Sequence, residues 1–302
     1  MSVERHLRAE YAALPRFVAP AAPRAELWRS LVGTVLIALI YAALLYGSLA
    51  ALAVGMGEWR FSKMLYALVS ASTPRGVLML FATFLPMAIA AIFVTRMVHD
   101  RPSGTLFGPA PRVARDFLRV SLPLVALWIA LLPLTTASPD VGKSLPLRQL
   151  LAWLPLALPL LALQITAEEL VFRGYLLQQL AIRSRAPWIW MGLPSILFGA
   201  LHYAPSEFGA NAFWPALWAG IFGCLAADLT ARTGSLGAAM GFHFATNVSA
   251  IFLVGLYGNL DGLSLYTVVI NTRDASQLLP YLAIDFASIL VAWLVARLML
   301  RV

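Results

Sequence analysis

The sequence predicts an all-α protein, a polytopic bundle of about eight transmembrane helices. Of the 302 residues, 61% are hydrophobic and only 12% are charged, and the mean hydropathy is +0.80. Soluble domains contain about 45–50% apolar and about 25% charged residues, so this chain lies far outside their range. The composition excludes a soluble globular enzyme, a disordered chain and a collagen-like repeat.

Apolar stretches of sufficient length are the third observation behind this prediction. A helix needs about 20 mostly apolar residues to cross the hydrocarbon core, and eight stretches meet or approach that length. They span residues 31–54, 77–98, 117–136, 150–177, 187–203, 212–230, 236–257 and 278–300. The fourth stretch, if helical as far as residue 183, is about 50 Å long. It could instead break near Pro159 or Gln164, which would add a crossing.

The order of these stretches divides the chain into four predicted parts. Residues 1–30 form a basic tail, 31–137 three helices, 148–257 a helical core and 278–302 a last helix. The tail lacks a short apolar region followed by a small-residue cleavage site, so we expect no removable signal peptide. With the tail in the cytoplasm, most lysines and arginines lie in inside segments, which predicts that both termini are cytoplasmic.

The net charge of +8 arises from 22 lysines and arginines that punctuate the apolar runs. They form no dense stripe, so the pattern excludes nucleic acid as a partner and favours anionic membrane lipid. Lys63 and Lys143 are the only lysines in the sequence. This arginine bias is typical of a GC-rich bacterial genome, so we expect an integral protein of a bacterial inner membrane. Cys224 is a lone cysteine and has no internal disulfide partner.

Two carboxylates and a guanidinium lie close together in the fourth stretch, at Glu168, Glu169 and Arg173. Charged groups at the centre of a membrane helix cost about 2.5–3.5 kcal/mol each, so they persist where they pair, line a cavity or do chemistry. Glu169 lies four residues before Arg173 and can pair with it. Glu168 is rotated about 100° away and has no local cation. An underpaired buried acid is a candidate general base, whereas Glu169 is equally well explained as structural.

Two histidines lie in later apolar stretches. His202 ends the fifth stretch, one turn after Phe198, and it is as far as Glu168 from the connection near residue 185. An antiparallel hairpin therefore brings these two side chains to the same depth. His243 lies in the seventh stretch, four residues before Asn247 and on the same helical face. Each histidine alone could be a hydrogen-bonding contact between helices, but both could share a cavity with the glutamates.

Together the three motifs resemble the CPBP family of intramembrane endopeptidases, which includes the type II CAAX prenyl endopeptidases and the bacterial Abi proteins. The family pattern is Glu-Glu-x-x-x-Arg, Phe-x-x-x-His and His-x-x-x-Asn, in that order on successive helices. All three occur here between Ile165 and Asn247. The resemblance implies a membrane-embedded peptidase with a catalytic core in 148–257 and a protein or peptide substrate. The site residues that it implies are Glu168, Glu169, Arg173, His202, His243 and Asn247.

The chemistry of these residues favours an activated water as the nucleophile, because no serine or cysteine has an evident base beside it. Peptide hydrolysis needs a group that takes the proton of the nucleophile and donors for the oxyanion. We expect Glu168, assisted by His202, to deprotonate and direct the water. His243 and Asn247 would stabilise the oxyanion. Glu169 and Arg173 would fix the helix and the charge of the cavity, and Phe198 would pack its wall.

The cofactor is left open by the sequence: none is needed for this scheme, and zinc is the alternative. Glu168, His202 and His243 could supply the three protein ligands of a catalytic zinc. Against zinc, the sequence contains no His-Glu-x-x-His pair. The resemblance is compatible with both a metallopeptidase and a glutamic peptidase.

A non-proteolytic membrane protein is the alternative function. In a proton-coupled transporter or a peptide-immunity factor, the intramembrane Glu, Arg and His residues would form a proton relay or bind a substrate. Transporters often consist of two related halves, and no such repeat is visible in this sequence. A structural protein, with these polar groups as contacts between helices, does not explain why an unpaired acid and two histidines would converge.

Overall fold

The computed structural model describes residues 10–302, which form a bundle of α-helices with one small sheet. The α-helices are α1 (Leu14–Val18), α2 (Leu27–Met56), α3 (Glu58–Ser70), α4 (Pro74–Ala82), α5 (Leu85–His99), α6 (Ala110–Thr135), α7 (Leu147–Glu169), α8 (Leu177–Ala181), α9 (Leu193–Leu201), α10 (Pro205–Phe208), α11 (Phe213–Thr233), α12 (Gly237–Asn247) and α13 (Ala275–Leu300). The 3-10 segments are Ala19–Arg24, Ser103–Leu106 and Gly209–Ala212, and the π-helical segments are Leu170–Leu176, Trp188–Gly192 and Val248–Leu253. The fold is therefore all-α in character, as predicted.

Six helical stretches in the described residues are long and apolar enough to cross a membrane. They are Leu27–Met56, Pro74–His99, Ser103–Thr135, Leu147–Ala181, Pro205–Thr233 and Ala275–Leu300. Two further apolar helices, Trp188–Leu201 and Gly237–Leu253, are shorter. The polytopic helical bundle is thus confirmed, but two of the eight predicted crossings are short helices. Gly237–Leu253 is mostly buried by neighbouring helices, so less of its surface is left to face lipid.

The fourth stretch is continuous, and the break considered near Pro159 or Gln164 does not occur. Helix α7 contains Pro155 and Pro159 and runs through the π-helical segment Leu170–Leu176 into α8. The excess length lies at the end of this unit, where residues 170–179 are almost all buried. These residues pack within the bundle, so their length does not have to fit the thickness of the bilayer.

Helix α3, a division of the second stretch and a small sheet were absent from the sequence-based prediction. Helix α3 follows α2 after a single residue, Gly57, whose φ is 76°. The second predicted stretch is divided into α4 and α5. A sheet forms from β1 (Val141–Lys143), β2 (Val254–Leu256) and β3 (Tyr266–Val268), in the order β1-β3-β2. In it β3 pairs antiparallel with β1 and parallel with β2.

The residues next to the amino terminus pack against the bundle. Phe17, Val18 and Ala21 are buried, and the hydroxyl of Tyr11 donates to Asp228 of α11 at 2.8 Å. Arg5 and Arg8 of the predicted tail lie outside the described residues. Residues 11–24 therefore form part of the folded bundle.

Close helix contacts through glycine position the short helices. A Cβ added to Gly241 of α12 would lie 2.6 Å from the carbonyl oxygen of Phe117 in α6. A Cβ added to Gly199 of α9 would lie 2.6 Å from the carbonyl oxygen of Ala216 in α11. Small residues allow such close backbone approach between membrane helices. The contacts fix the helices that precede His202 and contain His243.

Candidate active site

Three separate parts of the chain meet at the predicted site. Glu168 and Glu169 are the last two residues of α7, and Arg173 lies in the π-helical segment that follows. His202 comes directly after α9, and His243 and Asn247 lie in α12. π-helical turns occur often at functional sites, and one such segment carries Arg173 while another begins right after Asn247.

Arg173 and His243 both donate to the same oxygen of Glu169. Arg173 Nη1 lies 3.0 Å from Oε1 of Glu169, and His243 Nδ1 lies 2.9 Å from it. All three side chains are buried, that of Glu169 completely. The pair that the spacing of Glu169 and Arg173 predicts is therefore present. The sequence did not predict that His243 would also contact Glu169.

The second nitrogen of His243 faces the other glutamate: Nε2 lies 3.5 Å from Oε2 of Glu168. Glu169 is ion-paired with Arg173, so its carboxylate accepts and His243 Nδ1 carries the donated hydrogen. A carboxylate on one imidazole nitrogen fixes the ring orientation and directs the other nitrogen at the reacting group, as in other histidine sites. His243 thus joins the buried ion pair to Glu168.

Aromatic rings surround the guanidinium of Arg173. Its Cζ lies 4.9 Å from the ring centroid of Phe198 and 6.0 Å from that of Phe222, and Nη2 donates to the carbonyl of Gly223 at 3.3 Å. The Phe222 ring is 4.9 Å from that of His243, edge to face. These contacts exclude water from the cation and stabilise it through the faces of the rings. Phe198 also packs against His202, with ring centroids 4.6 Å apart.

His202 is exposed and is oriented by its own helix. Its Nδ1 lies 2.8 Å from the carbonyl oxygen of Phe198. A carbonyl only accepts, so Nδ1 carries the hydrogen and Nε2 presents a lone pair. Glu168 interacts electrostatically with both His202 and His243. Glu168, which is 9% exposed, thus interacts with both histidines.

Asn247 lies further along α12 and contacts a different partner. Its Nδ2 donates to Oε1 of Gln164 at 3.2 Å. Gln164 is buried and precedes Glu168 by one turn on α7. The amide pair therefore extends the row of polar groups from Glu168 along the α7–α12 contact.

Several residues at this site were not singled out from the sequence. Gln164 was noted only as a possible helix break, and Phe222 and Gly223 of α11 were not considered. Tyr41 of α2, half-buried, interacts electrostatically with Glu168. The sequence could have indicated Gln164 and Tyr41, because an amide or a hydroxyl within an apolar span often contacts another helix. Phe222 and Gly223 have no such signal, because apolar residues fill every helix of this chain.

The candidate metal ligands do not fit a three-ligand site. Within residues 10–302, no group of three His, Cys, Asp or Glu side chains is arranged to hold a metal ion. Glu168, His202 and His243 thus do not form the zinc ligand set that the sequence left open, and we derive no step through a metal.

The fold and the cluster define a class: integral membrane proteins that hold ionisable groups inside a helical bundle. A family model described as Type II CAAX prenyl endopeptidase Rce1-like matches residues 150–249. The match confirms the resemblance predicted from the three motifs, and residues 150–249 form an Rce1-like segment. Every predicted site residue from Glu168 to Asn247 lies within it.

One relative matches a longer part of the chain. "Uncharacterized protein YyaK" of Bacillus subtilis (strain 168) is 28% identical over 183 residues, which cover 57% of this chain and 60% of that protein. The alignment thus spans less than two thirds of the relative's length. No solved structure matches the chain.

Proposed function

We propose that the protein is an intramembrane endopeptidase in which Glu168 activates a water molecule. The observation that supports this most directly is the contact of Glu168 with His243, whose other nitrogen binds the buried Glu169. The Rce1-like match supports a peptidase, since the family is described as one of endopeptidases. The catalytic type that we propose is glutamic.

The proposed reaction begins with a water bound to Glu168 and the imidazole of His202, beside His243. Glu168 takes one proton from the water as the hydroxide adds to the carbonyl carbon of the scissile bond. When the C–N bond breaks, Glu168 returns that proton to the leaving nitrogen. The products are one carboxylic acid and one amine, so one water is consumed.

The neighbouring groups have distinct roles in this proposal. His202 offers the lone pair of Nε2 to the water, because its Nδ1 is held by a carbonyl. His243, whose Nδ1 hydrogen goes to Glu169, presents Nε2 to Glu168 and the water and orients both. The amide of Asn247 donates to the oxyanion, since a preorganised donor in a water-poor site stabilises developing charge. Glu169 and Arg173 are positioning residues that hold His243.

The proposed substrate is a membrane-associated protein or peptide, because a buried site within a bundle of spans is reached most readily from the membrane. We place the protein in a bacterial inner membrane. The arginine-rich composition and the Bacillus subtilis relative support this location.

The test compares new protein amino termini in membranes that contain different variants. Membranes from cells without the protein are incubated with purified wild type, Glu168→Gln or Asp285→Asn, and the new termini are identified by mass spectrometry. We expect wild type and Asp285→Asn to generate the same termini, and Glu168→Gln to generate none. Asp285 is the matched control because it is also a carboxylate within a predicted span, on α13. Wild-type termini that persist with Glu168→Gln would refute the mechanism. If neither wild type nor Asp285→Asn generates new termini, the result would favour the non-proteolytic alternative.

A further inference from the structure

Two arginines lie where the chain leaves its second predicted span. Arg96 is in the last turn of α5, and Arg101 follows two residues after the helix ends at His99. Together with Asp100 and Pro102 they line an open recess of about 290 Å³. The end of the span places this recess at the level of a membrane surface.

Arg101 is a buried cation whose described partners are neutral. It is 5% exposed. Its Nε donates to Oγ1 of Thr105 at 2.7 Å, and its Nη2 donates to Oε1 of Gln178. Its Nη1 is buried without a hydrogen-bond partner among residues 10–302. Burial lowers the pKa of Arg101 to about 10, because desolvation disfavours the charged form. The guanidinium therefore has both a free donor and an uncompensated charge.

The acidic residue of the recess does not supply the missing charge. Oδ2 of Asp100 is 3.0 Å from Nη2 of Arg24, and both side chains are well exposed. Arg29 lies nearby and pairs with Glu26, at 2.9 Å. Arg96 is exposed and makes no hydrogen bond or ion pair with any described residue. The recess thus has an excess of positive charge.

We propose that this recess binds a phosphate group, as carried by the headgroup of an anionic phospholipid or by free phosphate. Guanidinium groups match phosphate in charge and in hydrogen-bond geometry. Arg96 reaches the anion from the exposed side, and Arg101 compensates its buried charge by binding it. A phospholipid phosphate would lie at this level of the bilayer, and basic residues near a membrane surface gain about 1 kcal/mol each from anionic lipid.

The recess is separate from the candidate active site. Among residues 10–302, no lining residue contacts Glu168, Glu169 or His243, and Arg101 contacts the core at Gln178 of α8. Gln178 also donates to the carbonyls of Thr105 and Leu106, at 3.1 and 3.3 Å. Phosphate binding can therefore be measured without reference to peptidase activity.

The experiment measures thermal unfolding of the purified full-length protein in a neutral detergent. Phosphatidylglycerol, phosphatidylcholine or inorganic phosphate is titrated into wild type, Arg96→Gln, Arg101→Met and Arg119→Gln. Arg119 is the matched control, an exposed arginine of the same basic region that lies outside the recess. Arg96→Gln is the decisive variant, since Arg96 makes no internal contact whose loss would impair folding.

We expect phosphatidylglycerol to raise the unfolding temperature of wild type saturably and more than phosphatidylcholine does. The apparent affinity should fall about tenfold in Arg96→Gln, which corresponds to one charge-assisted hydrogen bond, and should not change in Arg119→Gln. Saturable stabilisation by inorganic phosphate that Arg96→Gln weakens would support the site and identify free phosphate as sufficient. Equal responses to the two lipids, or an unchanged response in Arg96→Gln, would overturn the proposal. The Glu168→Gln variant should keep the wild-type response whether or not the protein is a peptidase.

Discussion

Oε1 of Glu169 lies 2.9 Å from Nδ1 of His243, although the two residues are 74 positions apart in the chain. The same oxygen accepts from Arg173, whereas Oε2 is buried with no hydrogen-bond partner in the described part of the chain. The carboxylate therefore bridges a cation of its own helix and an imidazole of another. The two adjacent glutamates should therefore differ. Loss of Glu168 should affect the chemistry, whereas loss of Glu169 should also affect the stability of the fold.

Glu168→Gln should abolish cleavage without loss of stability. Glu168 makes no ion pair with a guanidinium, and its removal eliminates a proton acceptor whose contribution to rate is typically about 10²- to 10⁴-fold. The measurements are the rate of cleavage of a substrate found by the terminus analysis and the unfolding temperature in detergent. A variant with at least half of the wild-type rate would show that Glu168 is not the base.

Glu169→Gln should destabilise the protein as well as inactivate it. The change leaves the buried guanidinium of Arg173 without its counter-charge, and breaking a buried pair in this way costs about 3–5 kcal/mol. Thermal unfolding of Glu169→Gln beside Glu168→Gln tests the difference between adjacent residues. Equal unfolding temperatures for the two variants would contradict a structural role for Glu169.

Gly241→Ala should displace α12 and lower both stability and activity. The new Cβ would lie 2.6 Å from the carbonyl oxygen of Phe117, a backbone atom that cannot rotate away. Overpacking of this kind typically costs about 1–3 kcal/mol, and His243 is only two residues further along. Gly47→Ala in α2 is the control, because its Cβ would meet nothing within 4 Å. It should be neutral or slightly stabilising.

Asp285→Leu should raise the unfolding temperature, whereas Asp228→Leu should lower it. Asp285 is exposed in α13 and makes no hydrogen bond or ion pair with residues 10–302. An aspartate at the centre of a membrane helix costs about 2.5–3.5 kcal/mol. Asp228 instead accepts from Tyr11, Arg232 and Trp293 at 2.8–2.9 Å. Thermal unfolding in detergent checks both variants, and a destabilised Asp285→Leu would indicate a partner for this carboxylate.

Removal of metal ions should leave cleavage unchanged. The histidines and acids among residues 10–302 do not form a three-ligand group. The measurement is the cleavage rate after washing with a strong chelator, together with elemental analysis of the washed protein. Activity that disappears with the chelator and returns with zinc would show that a metal takes part.

Interactions within one helix were the most predictable from the sequence. The spacing of Glu169 and Arg173 determines that they share a face, whatever the rest of the chain does. The long apolar spans follow from composition in the same way. The contact of His243 with both glutamates was not predictable, because it depends on how α12 is rotated and shifted against α7. That placement is set by close packing at Gly241, which no local pattern reveals.

Features between the spans were the least predictable. Helix α3, β1 and β3 lie where the sequence shows turns and charges and no helical pattern, whereas β2 lies at the end of the seventh predicted stretch. The free donor of Arg101 depends on which neutral groups the fold brings to it, Thr105 nearby and Gln178 from a distant helix. Charge counting alone cannot distinguish this arginine from Arg119, because it registers neither burial nor partners.

The π-helical segment Leu170–Leu176 changes the rotational phase of a long helix part-way along its length. Each residue of an α-helix turns it by about 100°, so one additional residue per turn redirects everything that follows. Before the wider turn, the helix presents its acids to α12. Near its end, Tyr175 contacts His99 at 2.8 Å, and after it Gln179 contacts Ser30 at 3.1 Å. A single-residue deletion there would leave the acids in place and rotate the part of the helix that follows them away from α2 and α5.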